Sequence, residues 1–166
     1  MAEEMFDICN EQDEVVGQLP RSEVHRRRLL HRAVHIWIWN SSGQLLIHRR
    51  TASKDEYPGC FTSSASGHLQ AGEDYAGAAE RELMEELGLK GALQYEVRLP
   101  GSSRTSFEHT VLYSLRTDAS PQPDPGEIAE LIWHWPAELV AEVRAHPERF
   151  TPPFCELMLL WDAQHA

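Results

Sequence analysis

Apolar and polar positions alternate between residues 33 and 39. One face is aliphatic and the other carries histidine and tryptophan: Val34, Ile36 and Ile38 against His35, Trp37 and Trp39. A repeat of two residues predicts a β-strand with two distinct faces. The turn-forming run Asn40-Ser-Ser-Gly43 follows, and residues 44–48 are mostly apolar again. We therefore predict a β-hairpin over this region.

Residues 73–87 have the pattern of a helix. They contain no proline, include several alanines and are followed by Gly88. Glycine is common directly after a helix because it adopts the left-handed conformation without strain. Ala79, Leu83 and Leu87 recur at every fourth position, so one stripe of this helix should be buried.

The other segments predict strands and helices in mixed order. Strands are expected at 60–65, 93–99, 107–115 and 129–135, helices at 136–145 and 154–163, and loops at 51–58 and 118–126. Strands interleaved with helices indicate an α/β protein whose mixed central sheet is covered by helices. We expect the polar first thirty residues to wrap this unit, so that residues 1–166 form one domain.

The overall charge limits the class of partner. The chain has 26 acidic and 15 basic residues, which gives a formal charge of −11 at pH 7. A protein that coats nucleic acid needs a basic surface to displace counterions from phosphates, so the charge argues against a nucleic-acid partner. It is compatible with small phosphorylated ligands, because divalent cations bound to carboxylates attract phosphate.

The cysteines and the apolar runs indicate a compartment. Cys9, Cys60 and Cys155 are widely spaced and odd in number, which favours free thiols in a reducing environment over a disulfide framework. The first ten residues lack the pattern of a secretory signal, and no apolar run is long enough to cross a bilayer. The expected location is the cytoplasm, without membrane attachment.

Three glutamates within the predicted helix are candidates for metal binding. Glu82, Glu85 and Glu86 have the spacing i, i+3 and i+4, which places their side chains on one helix face. Their mutual repulsion becomes affinity when a cation binds, and carboxylate oxygens suit Mg²⁺ or Mn²⁺ bridged to substrate phosphates. The alternative is an acidic helix face that only contacts solvent.

The sequence around these glutamates decides between the two interpretations. It reads Gly67-His-Leu-Gln-Ala-Gly-Glu73-Asp-Tyr-Ala-Gly-Ala-Ala-Glu-Arg81-Glu82-Leu83-Met-Glu85-Glu86-Leu-Gly88-Leu89. This segment resembles the Nudix box at every fixed position of that motif. The resemblance implies the Nudix fold, an α/β/α sandwich, and hydrolysis of a nucleoside diphosphate linked to another moiety.

The resemblance also implies a role for each polar residue of the box. Glu85 and Glu86 match metal ligands, assisted by the carbonyl of Gly67. Glu82 matches either a further ligand or the base that activates water. Arg81, paired with Glu73, would orient the carboxylates. When bound, the metal would neutralise the diphosphate oxygens and lower the pKa of the attacking water.

Outside the box, the chain resembles the isopentenyl-diphosphate isomerase branch of the Nudix superfamily. The shared features are His25, His31, Arg32-Ala33, Arg49-Arg50, Lys54, Tyr57-Pro58-Gly59 and Gly67-His68. In that branch, upstream histidines, the histidine after this glycine and downstream glutamates form a second metal site. The residues that match here are His25, His31, His68 and Glu108. Each could instead be an ordinary polar residue, since a lone histidine usually only forms hydrogen bonds.

Two departures separate the chain from the isomerases. A glutamate of their second metal site falls on Ser106, and the cysteine that precedes their Gly-His pair falls on Ser66. A serine hydroxyl is a much weaker acid than a thiol, whose unperturbed pKa is about 8.5. Because the hydrolytic box is also complete, we expect a hydrolase. An isomerase-like enzyme and an inactive diphosphate-binding module are the alternatives.

The basic and aromatic residues near the box are candidates for substrate contacts. Arg49, Arg50 and Lys54 could bind substrate phosphates or could form a solvated basic loop. The tryptophans at 37, 39, 133 and 135 could stack on a nucleobase, although packing in the sheet is the expected role. The expected partner is a small-molecule diphosphate, and the choice between a monomer and a homodimer is open.

Overall fold

The structure is a computed structural model that describes residues 2–166. The strands are β1 (Met5–Cys9), β2 (Val15–Pro20), β3 (His31–Trp39), β4 (Leu45–Arg50), β5 (Phe61–Thr62), β6 (Ala65–His68), β7 (Gln94–Leu99), β8 (Glu108–Arg116) and β9 (Ile128–His134). The helices are α1 (Arg21–Arg26), α2 (Tyr75–Leu87), α3 (Pro136–Ala145) and α4 (Pro152–His165). Short 3-10 turns cover Ser103–Thr105 and Pro147–Arg149.

A mixed sheet forms the centre of the fold. Its main order is β5-β4-β3-β8-β7, with β6 paired to β3 and β9 paired to β4. Strands β3 and β8 are parallel, from His31 opposite Glu108 to Trp39 opposite Arg116. The other pairs are antiparallel. The parallel register brings His31 and Glu108, two of the predicted ligands, to the same end of the sheet.

The predicted hairpin forms at its turn and then opens. Strands β3 and β4 pair at Trp39 and Leu45, while further along β3 pairs with β6 and β4 pairs with β5. The segment predicted as one strand at 60–65 contains β5 and only the first residue of β6, which pairs with a different strand. Ser64 lies between them, and its hydroxyl donates a hydrogen bond to the carbonyl of Leu46 at 2.5 Å.

Helices cover both faces of the sheet, which confirms the predicted α/β/α sandwich. On one face, Val34 and Ile36 of β3 pack with Ala79, Leu83 and Leu87 of α2. On the other face, the residues from the helices are Leu139, Val140 and Val143 of α3 and Phe154, Leu157 and Met158 of α4. Trp37 packs into this second core, 6.0 Å from the ring of Phe154, so its role is packing.

Local side-chain contacts set the ends of α2. The helix begins two residues later than predicted, because Asp74 is its N-cap and accepts a hydrogen bond from the Gly77 amide at 2.7 Å. It ends at Gly88, whose φ of 63° is left-handed. The predicted stop is therefore confirmed.

The N-terminal segment forms a separate hairpin, β1–β2, followed by α1. It is tied to the rest of the chain by backbone hydrogen bonds, from Cys9 N to Leu30 O at 2.9 Å and from Ala71 N to Met5 O at 2.7 Å. Phe6 of β1 is fully buried. Between residues 2 and 166, no helix is both long and apolar enough to span a bilayer.

Candidate active site

Arg81 is the centre of a hydrogen-bonded network on α2. Its guanidinium binds both carboxylate oxygens of Glu73 at 2.8 Å. It also donates to Glu82 at 2.8 Å and to Glu85 at 3.2 Å. These bonds, with burial acting in the opposite direction, raise the pKa of Arg81 and lower that of Glu73. The predicted Arg81–Glu73 pair is therefore present in the structure.

Gly67 allows the backbone of β6 to approach the helix. A Cβ atom at this position would lie 2.3 Å from the carboxyl carbon of Glu82. Another box glutamate, Glu86, is buried and accepts a hydrogen bond from the Ser66 amide at 3.0 Å. The absence of a side chain at 67 thus leaves room for the Glu82 carboxylate beside the backbone of β6.

Burial leaves two box carboxylates poorly compensated. The pKa of Glu82 is raised mainly by burial, against the effect of Arg81. The pKa of Glu86 is raised by burial and by the nearby charge of Glu82. Glu82 has Arg81 as a cationic partner, whereas Glu86 accepts a hydrogen bond from the neutral Ser66 amide. Burying carboxylates is costly, and a divalent cation would offset this cost. The donor set therefore fits Mg²⁺ or Mn²⁺.

Glu82, Glu85 and Glu86 line one cavity but do not converge on one point. Within residues 2–166, the groups of three potential ligands whose atoms lie within 4.8 Å of one another do not include them. Arg81 holds Glu82 and Glu85, and the Ser66 amide holds Glu86. Cation binding would require Glu85, whose side chain is 58% exposed, to rotate away from Arg81.

The cavity beside α2 has a volume of about 380 Å³ and charged walls. Arg50 and Lys54 line it, as predicted for phosphate-binding groups, together with Arg21. Lys54 forms an ion pair with Glu127. Arg49 points to Glu130, with 3.1 Å between the Arg49 Nε and a carboxylate oxygen. The structure thus brings Arg50 and Lys54, but not Arg49, to the box glutamates.

Two buried histidines also line this cavity. His35 Nδ1 lies 2.6 Å from the Ser63 hydroxyl, and His48 Nδ1 lies 3.0 Å from the Ser64 carbonyl. Burial lowers the pKa of His35 to about 3 and that of His48 to about 4. Both rings are neutral at pH 7, and they offer hydrogen bonds to a ligand without adding charge.

A second set of candidate ligands, here called the histidine cluster, consists of His25, His31, His68 and Glu108. The three rings lie 5.1 to 5.3 Å apart and surround the ring of Phe6. His68 Nε2 is 2.8 Å from Glu108 Oε2, and His31 Nε2 is 3.9 Å from the same oxygen. The four residues predicted from the resemblance therefore lie together.

Burial shifts the pKa values of three members of the histidine cluster. Burial lowers the pKa of His31 to about 4 and that of His68 to about 3. Burial also raises the pKa of Glu108 to about 7, against the effect of His31. Imidazoles held neutral beside a carboxylate are the form in which these groups bind transition metals. The cluster therefore fits a divalent metal ion.

Several residues that line the first cavity were not predicted from the sequence. They are Arg21, His35, His48, Glu56, Asp124 and Glu127. Glu56 follows closely after Lys54, a predicted substrate-binding residue. This proximity in the sequence could have identified Glu56 as a candidate site residue. Glu127 lies just before β9, and only the tertiary structure brings it to Lys54.

Comparison with known proteins gives a consistent family. The family model described as "NUDIX domain" matches residues 29–154. An isopentenyl-diphosphate Delta-isomerase of Serratia proteamaculans is 34% identical over 94% of this chain and 90% of its own. A Nudix hydrolase of Deinococcus radiodurans is 37% identical over 87% of this chain and 86% of its own.

A solved structure agrees with the fold. The crystal structure of DR0079 from Deinococcus radiodurans superimposes with a TM-score of 0.82 at 35% identity, covering 93% of this chain and 97% of that one.

Proposed function

The chain belongs to the NUDIX domain family, and from this premise we propose that it is a metal-dependent pyrophosphohydrolase. Its substrate would be a nucleoside diphosphate derivative or a related small-molecule diphosphate. The observation that carries the proposal is that three box glutamates, Glu82, Glu85 and Glu86, line a cavity that Arg50 and Lys54 also line. Glu82, Glu85, Glu86 and the Gly67 carbonyl would hold Mg²⁺ or Mn²⁺.

The bound cation would neutralise the diphosphate oxygens and acidify the attacking water. Arg81 keeps the Glu82 carboxylate oriented, and the Glu73 pair in turn keeps Arg81 in place. Glu82 is either a ligand or the group that takes the proton from water. Its raised pKa suits the second role, since a general base is most effective when its pKa is near the working pH.

The cationic side chains would bind the substrate phosphates. Arg50 can form forked hydrogen bonds with phosphate oxygens, and Lys54 can act as a point charge. Both line the cavity beside the box. Arg49 is left out of this set, because its guanidinium pairs with Glu130. The cytoplasmic location remains part of the proposal and is supported by three unpaired thiols.

A substrate screen tests this proposal. The purified chain would be incubated with Mg²⁺ and a panel of nucleoside diphosphate sugars, dinucleoside polyphosphates, ADP-ribose and nucleoside triphosphates. We expect release of a nucleoside monophosphate or of a phosphate from at least one compound. Binding without hydrolysis across the whole panel would contradict the proposal and favour an inactive diphosphate-binding module.

Isomerisation of a prenyl diphosphate is the second candidate, favoured by the similarity to a protein named isopentenyl-diphosphate Delta-isomerase and by the histidine cluster. Against it stands Ser66, which lines the cavity but cannot supply a proton near neutral pH without strong activation. We expect no allylic isomer and no deuterium at carbon after incubation with isopentenyl diphosphate in heavy water. We also expect Ser66→Ala to retain most hydrolysis. Isomerisation that Ser66→Ala abolishes would favour the isomerase.

A further inference from the structure

The histidine cluster contains unsatisfied polar atoms. Across residues 2–166, two buried ring nitrogens that lack a hydrogen-bond partner, His25 Nε2 and His31 Nε2, belong to this cluster. Such atoms are rare in folded proteins, because each loses its hydration without gaining a partner. Their occurrence side by side indicates that a ligand belongs between them.

The protonation of His31 indicates what kind of ligand this is. His31 Nδ1 lies 2.8 Å from the Leu29 carbonyl, which can only accept a hydrogen bond, so Nδ1 carries the proton. The neutral ring then presents a lone pair at Nε2. A lone pair on a buried ring nitrogen suits a cation. Second-shell carbonyls commonly fix metal-binding histidines in this tautomer.

Glu56 is placed to join the cluster. Its Oε1 pairs with His25 Nδ1 at 2.7 Å. One oxygen of Glu56, one nitrogen of His68 and one oxygen of Glu108 all lie within 4.8 Å of one another. We infer that Glu56 is a ligand of a divalent transition-metal ion held by the histidine cluster.

Ser106 explains why a second carboxylate must come from elsewhere. The isomerase resemblance places a glutamate at this position, and a serine stands there instead. The Ser106 hydroxyl lies 2.6 Å from the hydroxyl of Tyr57. This contact ties the loop that carries Glu56 to the turn before β8. The same contact therefore occupies Ser106 and holds Glu56 next to the cluster.

The charges of the ligands and the cavities next to the histidine cluster agree with this assignment. Two carboxylates, Glu56 and Glu108, would together balance the charge of one divalent cation. Mixed nitrogen and oxygen donors favour first-row transition metals, whereas Mg²⁺ prefers oxygen alone. A second, open cavity of about 540 Å³ is lined by His25, His31 and Glu56. Glu56 and His68 also line the first cavity, so the cluster lies between the two.

The test measures metal binding and not turnover, so it is independent of the proposed hydrolysis. Co²⁺ would be titrated into metal-free protein in excess Mg²⁺, which occupies oxygen-only sites, and visible absorption would report coordination by nitrogen. We expect one tight equivalent in the wild type. Glu56→Gln should weaken it by about tenfold or more, the usual scale for losing a supporting or direct metal contact, and should change the spectrum.

Asp55→Asn is the matched control, since it removes one charge from the neighbouring residue and should change the affinity less than threefold. Thermal melting of each metal-free variant verifies that it is folded. Unchanged Co²⁺ affinity and spectrum in folded Glu56→Gln would overturn the inference, and so would a wild type that binds no Co²⁺ beside Mg²⁺. Loss of hydrolysis with normal Co²⁺ binding would contradict only the proposed function.

Discussion

At Gly67 the backbone of β6 lies against the Glu82 side chain of α2. Any side chain there would displace the Glu82 carboxylate, because a Cβ would lie 2.3 Å from both the carboxyl carbon and one oxygen of Glu82. The role of Gly67 is therefore more than that of a flexible loop residue. It sets the distance between the Gly67 carbonyl, a proposed ligand, and a carboxylate of the box.

Gly67→Ala should lower kcat by at least about tenfold, since a 1 Å displacement of a catalytic group can cost even more. Steady-state hydrolysis of a substrate found in the screen would measure this. Gly126→Ala is the control, because the nearest atom to its new Cβ would be Asp124 Oδ1 at 3.5 Å. Equal kcat in Gly67→Ala and the wild type would show that the approach of Glu82 to β6 is unimportant.

Glu85→Gln and Glu86→Gln should each remove most turnover, because each keeps the shape of the side chain but removes a charge from the metal site. Glu80→Gln, on the exposed face of the same helix, should keep wild-type kcat. A normal kcat in Glu86→Gln with unchanged metal affinity would disprove the assignment of the site.

The substitution Glu86→Gln should also raise the stability of the metal-free protein. The folded-state pKa of Glu86 is raised, so the contribution of this group to folding is present below pH 4.5 and lost as pH rises through its folded pKa. At pH 7 in chelator, Glu86→Gln should therefore unfold at higher urea concentration than the wild type.

Helix α2 shows what the sequence can predict at the scale of one element. Its buried stripe and its end at Gly88 depend on residues within the helix, and both predictions are confirmed. The same local periodicity places Glu82, Glu85 and Glu86 on one face of the helix. It does not show that they fail to converge on one point, because this depends on the hydrogen bonds from Arg81 and from the Ser66 amide.

The strands show where prediction from the sequence stops. The β3–β4 turn was predicted from local residues, but the opening of this hairpin depends on β5 and β6 pairing with its two strands. The placement of His35 and His48 along one cavity follows from that opening. Glu127 reaches the site through its ion pair with Lys54, which is distant in the sequence. Such long-range contacts leave no periodic signal in the sequence.

Asp74→Ala should destabilise the fold by about 1 kcal/mol, the usual cost of losing an N-cap. The Asp74 carboxylate accepts a hydrogen bond from the Gly77 amide at 2.7 Å, and alanine cannot replace it. Urea unfolding would measure the loss. Asp74→Ser keeps an acceptor and should retain most of the stability. An alanine variant as stable as the serine variant would contradict the capping role.

Across the whole molecule, buried histidines link stability to pH. The folded-state pKa values of His35 and His48, about 3 and about 4, lie below the unfolded value of about 6.5. The unfolded chain therefore binds more protons at acidic pH, and the contribution of these groups is lost as pH falls from about 6.5 toward 4.

His48→Gln should remove part of this pH dependence. Between pH 7.5 and 5, its free energy of unfolding in chelator should fall by about 2 kcal/mol less than that of the wild type, which is the linkage for 1.5 pH units. The exposed His146→Gln should follow the wild-type curve. Parallel curves for His48→Gln and the wild type would mean that His48 is not held neutral by burial.

The charge of −11 and the buried carboxylates of the box support our proposal that hydrolysis by this protein depends on bound cations. The most direct test is the hydrolysis rate of a diphosphate substrate after exhaustive chelation and after metal is returned. The account predicts that chelation abolishes release of the monophosphate product and that Mg²⁺ or Mn²⁺ restores it. Hydrolysis that continues at the same rate in the fully chelated protein would contradict it.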